Sequence, residues 1–291
     1  MTDRLEALLA HFPLSAHLAH AGPVAGVNVL PVAAGEPQLH LIGAGTASVV
    51  HDNGELLRID APSLLLYTRA QPHRFQVDAG QPLSLVTAQL GFDASAGSPL
   101  ADALPTRLCL PLSTLKGSRA VLDLLFEEAS ANYCGRQAML GRLFEMVLIQ
   151  LLRTLMENGQ IQVGLLAGMG HPRLRHALVA MHEQPGADWS LRTLAGHAGM
   201  SRSRFAAAFR EVVGTTPGSY LQGWRTRLAQ QALRRGQPLK RIASEIGYAS
   251  EAALSRAFRA QTGQSPRQWK AAGAPAHVNA AMLTPPIPGR S

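Results

Sequence analysis

The sequence predicts an α+β fold: a β-barrel or sandwich in front, a helical segment behind it, and an all-α domain carrying two helix-turn-helix motifs at the end. Three observations predict it. Short alternating runs fill residues 23 to about 110, helical spacing takes over from Ser113 to Asn158, and one helical pattern, Leu191–Tyr220, returns as Leu239–Trp269. A chain of 291 residues that is 46% hydrophobic is long enough to bury two cores.

At the start, Leu5, Leu8, Leu9 and Phe12, interrupted by Asp3, Glu6 and His11, read as a short amphipathic helix without the pattern of a signal peptide. ASVVH and LLRID then flank Asp52, Asn53 and Gly54, and Asn-Gly between two strand-like runs predicts a hairpin. LLLY, HRFQV and LSLVTAQL follow at short intervals, set apart by Pro62, Gln71, Pro72 and Gly80. Several short strands so spaced suit a barrel or a sandwich.

Further on, Leu122, Leu125 and Phe126 share one helix, and Leu140, Leu143, Phe144, Val147, Leu148, Leu151 and Leu152 share the next. The second stripe is broad enough to need cover from more than one side, so a homodimer formed through Leu140–Leu152 is expected, the alternative being packing against the chain's own barrel. MVLIQLL, bounded by Glu145 and Arg153, is too short to span a bilayer; no membrane partner and a cytoplasmic location are expected. Asn158–Gly170 reads as a glycine-rich linker, and the proline-rich tail from Ala274 to Ser291 as disordered.

The repeat can be aligned residue by residue. Leu194, Ala195, Gly199 and Met200 recur 48 residues later as Ile242, Ala243, Gly247 and Tyr248, while Phe205, Phe209, Gly214 and Pro217 recur 49 later as Leu254, Phe258, Gly263 and Pro266. The extra residue falls between the glycine and the next helix, so neither apolar face is rotated. Each copy reads as two short helices joined by a tight turn, with Ser201 and Ser250 as N-caps of the second helix. Between the copies, Pro217–Arg235 reads as one helix of about 28 Å at roughly 1.5 Å per residue, close to the ~34 Å between successive major-groove faces.

On the second helix of the first copy, Arg202, Ser203, Arg204, Ala206, Ala207 and Arg210 cannot serve the core and are candidates to face DNA. In the second copy these are Glu251, Ala252, Ser255 and Arg256, with Arg259 beside them. Arg256 has the planar fork to bind guanine twice, and Glu251 could accept from a cytosine amine. The alternatives are a phosphate contact for Arg256 and a helix-terminus role for Glu251. Ala206 and Ala207 offer only methyl contacts, so the first copy would lean on phosphates and DNA shape, or else its alanines are simply good helix formers. Charge agrees: residues 171–273 carry 16 Lys and Arg against 5 Asp and Glu, whereas residues 1–170 carry 10 against 14.

These residues resemble the AraC family of transcriptional regulators, from WSLRTLAGHAGMSRSRFAAAFREVVGTTPGSYLQGWR to IASEIGYASEAALSRAFRAQTGQSPRQWK. The resemblance implies that Ser203, Ala206 and Ala207, then Glu251, Ala252, Ser255 and Arg256, enter adjacent major grooves of double-stranded DNA, and that RNA polymerase is a partner. Leu39–Val77, with APSLLLYTRAQPHRF, is similar to the cupin barrel of many AraC relatives. It implies a sensing domain over residues 1–110, a helical dimerisation segment and linker over 111–170, and the DNA-binding domain over 171–273.

A small-molecule effector is the expected partner of the cupin-like domain, with His40, Tyr67 and His73 as candidate ligand-binding residues. His40, His51 and His73 also raise a metal, since imidazole suits zinc, nickel, copper and iron. Their spacing lacks a His-x-His pair with a nearby carboxylate, so no metal and no cofactor are expected. Cys109 and Cys134 fit a reducing compartment and are expected to be buried, inert thiols, the alternative being thiol sensing. Related cupin-type regulators often carry Cys-Gly where this chain has Thr87 and Ala88. An enzyme fused to a DNA anchor would need a metal the chain does not visibly ligate, so no catalytic residue is nominated; a barrel that only dimerises is the other alternative.

Overall fold

The structure is a computed structural model, and it describes residues 3–28, 36–78, 82–92, 98–159 and 161–272. Gly80 and the tail from Ala274 lie outside the described residues. The chain divides into two compact units: Leu14–Phe92 with Leu104–Glu157, and Met1–Pro13 with Asp93–Ala103 and Asn158–Ser291.

Among the described residues the first unit has nine strands: β1 (Leu14–Val24), β2 (Val27–Asn28), β3 (Gln38–Ala44), β4 (Ala47–His51), β5 (Leu56–Ile59), β6 (Ser63–Tyr67), β7 (His73–Val77), β8 (Leu83–Phe92) and β9 (Arg107–Pro111). The expected hairpin is present, with Val50 opposite Leu56 and Gly54 at φ +81° in its turn. The strands form two antiparallel sheets, β1-β8-β3-β6-β9 and β2-β7-β4-β5. Among the described residues no ladder joins one sheet to the other, so of the barrel and the sandwich that the sequence suggested they show two separate sheets and no closed barrel. Period-2 alternation buries His73, Phe75 and Val77 of β7, and Phe75 and Val77 meet Ile42, Leu65 and Leu85 of the five-stranded sheet in a shared core.

Strand β6 is buried along its whole length because its other face is covered too. Helices α3 (Arg119–Ser130) and α4 (Arg136–Asn158) lie against the same five-stranded sheet: Phe126 lies over Gly43 of β3, and Gly141 abuts the Ala16 carbonyl of β1. This places the broad stripe of α4 differently from the expectation. Leu140, Phe144, Val147 and Leu151 are fully buried within the chain itself, and the apolar side chains left outside are Leu124, Tyr133, Met139 and Met146.

The second unit is helical: α1 (Glu6–His11), α2 (Pro99–Ala103), α5 (Leu165–Gly170), α6 (Leu174–Glu183), α7 (Leu191–His197), α8 (Arg202–Val213), α9 (Pro217–Arg234), α10 (Leu239–Glu245), α11 (Glu251–Thr262) and α12 (Pro266–Ala271). The stretch read as a linker supplies α5, whose Leu165, Leu166 and Met169 are buried. The N-terminal helix packs here as well, with Phe12 against Trp224 at 5.2 Å between ring centroids and the His11 carbonyl accepting from Gln231. Asp102 of α2 pairs with Arg227 of α9 at 2.9 Å.

Candidate nucleic-acid interface and buried histidine cluster

The helix pairs α7–α8 and α10–α11 are each joined by a turn with a left-handed glycine, Gly199 at φ +60° and Gly247 at φ +83°. The residue after each glycine donates its amide back to the first helix, Met200 to Ala195 and Tyr248 to Ala243. Ser201 caps α8 through the Arg204 amide at 3.4 Å, and Ser250 caps α11 through the Ala253 amide at 3.2 Å. Inside, Phe205 and Phe209 are fully buried on α8, and Leu254 and Phe258 on α11. The next helix of each copy starts on proline behind a hydroxyl cap, Thr216 and Ser265.

What remains outside is the candidate set. Arg202, Ser203, Arg204, Ala207 and Arg210 are exposed and Ala206 is half-buried; Glu251, Ala252 and Arg256 are exposed and Ser255 is half-buried. Among the described residues, none of Arg202, Arg204, Arg210, Arg256 and Arg259 is ion-paired, whereas Arg227 and Arg241 are tied to Asp102 and Glu245. Exposed, unpaired guanidiniums can meet phosphates or base edges without first breaking an internal contact. Ala206, Ala207 and Arg210 also border a cleft of about 560 Å³ lined by Leu191, Leu194 and Leu221, which no local pattern in the chain signals. Helix α9 joins the pairs over 18 residues, so it spans about 27 Å at roughly 1.5 Å per residue.

The β unit brings together His40, Tyr67 and His73, and adds His51. Tyr67 stacks on His73 at 4.4 Å between centroids, and His40 meets His73 edge-on at 4.9 Å. The strand register does this: His51 and His73 are paired positions of β4 and β7, and His40 lies beside Thr87 of β8, whose hydroxyl is 2.8 Å from His40 Nδ1. His51 Nδ1 lies 3.1 Å from the Glu55 carbonyl, which can only accept, so that nitrogen carries a proton and donates there, while its Nε2 lies 2.7 Å from the Tyr67 hydroxyl. Arg107, ion-paired with Glu55, approaches the same nitrogen at 3.4 Å.

Two ring nitrogens are left over. His40 Nε2 and His73 Nε2 are buried and have no hydrogen-bond partner among the described residues. Burial holds His40 well below the ordinary histidine range, with neighbouring His73 adding to the effect. Burial lowers His73 too, against the opposing bond from its ring to the Gln71 carbonyl. Both rings are therefore neutral near pH 7. Among the described residues no group of three or more His, Cys, Asp or Glu side chains is placed to hold a metal ion. Thr87 serves as the hydrogen-bond partner of His40. Cys109 is half-buried and its thiol is pushed up by burial; Cys134 is exposed. No helix among the described residues is long and apolar enough to cross a membrane.

A two-sheet domain joined to repeated helix pairs with a free basic face defines a DNA-binding transcriptional regulator, and the family comparisons agree. Residues 3–157 match the cupin family model, and residues 194–272 match the helix-turn-helix domain model. The chain is 31% identical over 240 residues to the HTH-type transcriptional regulator AlkR of Acinetobacter baylyi, covering 79% of this chain and 78% of AlkR. It is 32% identical to a putative AraC-like transcription regulator of Streptomyces antibioticus, covering 70% of this chain and 69% of that protein. Among solved structures, the DNA-binding domain of AdpA in complex with a target DNA is 31% identical over 35% of this chain and 91% of that domain, with a TM-score of 0.33. The protein belongs to the AraC-type transcriptional regulators with an N-terminal cupin domain.

Proposed function

We propose that the helix pairs α7–α8 and α10–α11 are two helix-turn-helix motifs that set α8 and α11 into successive major grooves of one DNA face. One observation carries this reading: the same capped skeleton occurs twice, and both copies turn unpaired arginines outward. Arg256 reads a guanine and Glu251 an adjoining cytosine, while Arg202, Arg204 and Arg210 hold phosphates around a methyl-only surface at Ala206 and Ala207. Ser203, Ala252 and Ser255 complete the contact faces. Sequence is thus read mainly by α11, and α8 reads DNA shape.

The test uses the tightest duplex selected by the purified protein from a random-sequence pool, titrated across a salt series. Wild-type affinity falls steeply with salt, and Arg256→Ala costs about 1–3 kcal/mol, roughly 5- to 150-fold, with discrimination lost at one base step. Equal weak binding to every sequence overturns the reading.

The β unit is the regulatory partner in this proposal. A small molecule with hydrogen-bonding groups binds against His40, Tyr67 and His73, where two buried imidazole nitrogens await partners. A compound that stabilises wild type and His73→Phe equally would exclude this place. Leu124, Tyr133, Met139 and Met146, exposed on α3, α4 and the turn between them, supply the homodimer face in place of the buried stripe. A monomeric mass by light scattering at micromolar concentration counts against it. Contact with RNA polymerase follows from family membership alone.

A further inference from the structure

Helix α9 does more than separate the two helix pairs, because one of its side chains holds both. Arg225 is half-buried at its middle. Its Nε donates to the Pro185 carbonyl at 2.7 Å and its Nη2 to the Ala187 carbonyl at 2.9 Å, both in the turn that leads into α7. The same guanidinium lies 5.7 Å from the ring centroid of Tyr248, in the turn between α10 and α11.

The two turns also touch directly. A Cβ on Gly247 would stand 2.5 Å from the Gly186 oxygen and 2.9 Å from Arg225 Nη2, and a Cβ on Gly186 would stand 2.6 Å from the Glu245 oxygen. Backbone meets backbone at a distance only glycine allows, and at Gly247 the positive φ adds a second reason. The first turn is itself braced, with Trp189 Nε1 donating to the Gln184 carbonyl at 2.8 Å.

We propose that Arg225, Gly186 and Gly247 form a clasp that fixes the separation and relative rotation of the two recognition helices, making Arg225 a positioning residue for two-groove binding. This rests on the two-motif reading above. Arg225 differs from the exposed arginines of the recognition helices in being half-buried, with its Nε and Nη2 each bonded to a carbonyl inside the protein. A forked donor is needed because two carbonyls two residues apart are held at once, while the flat face of the group is left to the tyrosine ring. Inserting one base pair moves the second contact block by about 3.4 Å and rotates it by roughly a tenth of a turn. A rigid clasp rejects that displacement, and a loosened one follows it.

The experiment compares three duplexes: the selected site, and the same site with one base pair added or removed between the two contacted blocks. Wild type loses at least about tenfold on either altered duplex. Arg225→Lys keeps the charge and loses the fork; Tyr248→Leu keeps Arg225 and removes the ring. Both bind the selected site more weakly, and their spacing penalty shrinks to about threefold or less. If both variants keep the wild-type penalty, whatever their affinity, the clasp is refuted while the two-motif reading stands. A wild type indifferent to spacing overturns both.

Discussion

The two helix pairs share a skeleton and differ in the face they show. In each, a serine caps the second helix, a left-handed glycine ends it at φ +83° or +76°, and a buried phenylalanine meets the next helix's aromatic ring edge-on. The ring distances are nearly equal, 5.7 Å for Phe209–Tyr220 and 5.9 Å for Phe258–Trp269. The outward positions diverge, with Ala206 and Ala207 on α8 against Ser255 and Arg256 on α11. Core positions answer to the same geometry twice, while exposed positions answer to whatever each copy touches. The likeness therefore concerns folding, and the difference concerns recognition.

The comparison breaks most severely if the cores are unequal. Phe209 and Phe258 are both fully buried, so Phe209→Ala and Phe258→Ala are each expected to cost about 3–5 kcal/mol in urea denaturation followed by tryptophan fluorescence. A cost below about 1 kcal/mol at Phe258 would show that the second pair is not held by its own aromatic core.

Much of this was legible because it is local. Helical spacing, capping serines and turn glycines locate α7, α8, α10 and α11, and Asn-Gly locates the β4–β5 hairpin. Strand β1 was missed: LSAHLAHAGPV blurs the alternation with alanine and histidine, and its place is set by a partner far along the chain, Leu14 opposite Phe92. Helix α5 was read as linker because LLAGMG is rich in glycine, yet Gly168 lets Leu178 and Val213 close over it. Whether sheets close is a property of ladders between distant strands, which no local pattern encodes. The histidines of the β unit lie far apart in sequence, and only register brings them together. Arg225 had no signal at all, since an arginine on an amphipathic helix ordinarily faces water.

A smaller asymmetry lies beneath the two pairs. His182 on α6 and Gln230 on α9 stand 48 residues apart, the offset of the repeat, and each is only 1% exposed. His182 bonds the Tyr220 hydroxyl at 2.6 Å and stacks on Trp224 at 4.0 Å. Burial, with a lesser contribution from His11, pushes its pKa down to about 3 from 6.5. Below pH 6.5 the unfolded chain takes a proton that the folded chain refuses, so this contribution is complete above that pH and is lost as pH falls toward 3. The expected slope is about 1.4 kcal/mol per pH unit for this one group. His182→Gln, which copies the second half into the first, should flatten the acid dependence of the urea midpoint between pH 6 and 5 by roughly that amount. An unchanged slope would place the acid sensitivity in the β unit, where burial depresses His40 and His73 in the same direction.

The finest distinction concerns the caps. Ser201→Ala and Ser250→Ala each remove a side-chain acceptor from the first turn of a recognition helix, at about 1 kcal/mol apiece. The costs should not be equal. Helix α11 begins with Glu251, whose charge favours the positive end of the helix, whereas α8 has no acidic residue in its first turn and carries Arg202 and Arg204 there. Without its serine, α8 is left with cations alone at a terminus that repels them, so Ser201→Ala should cost a few tenths of a kcal/mol more, and added salt should erase the difference. Hydrogen exchange at the Arg204 and Ala253 amides reads both effects. Equal protection in low salt would mean that the charges at the two helix starts do not matter to folding. A larger loss at Arg204 that DNA restores would mean that α8 tolerates its arginines because phosphate, in the complex, supplies the negative charge its own sequence omits.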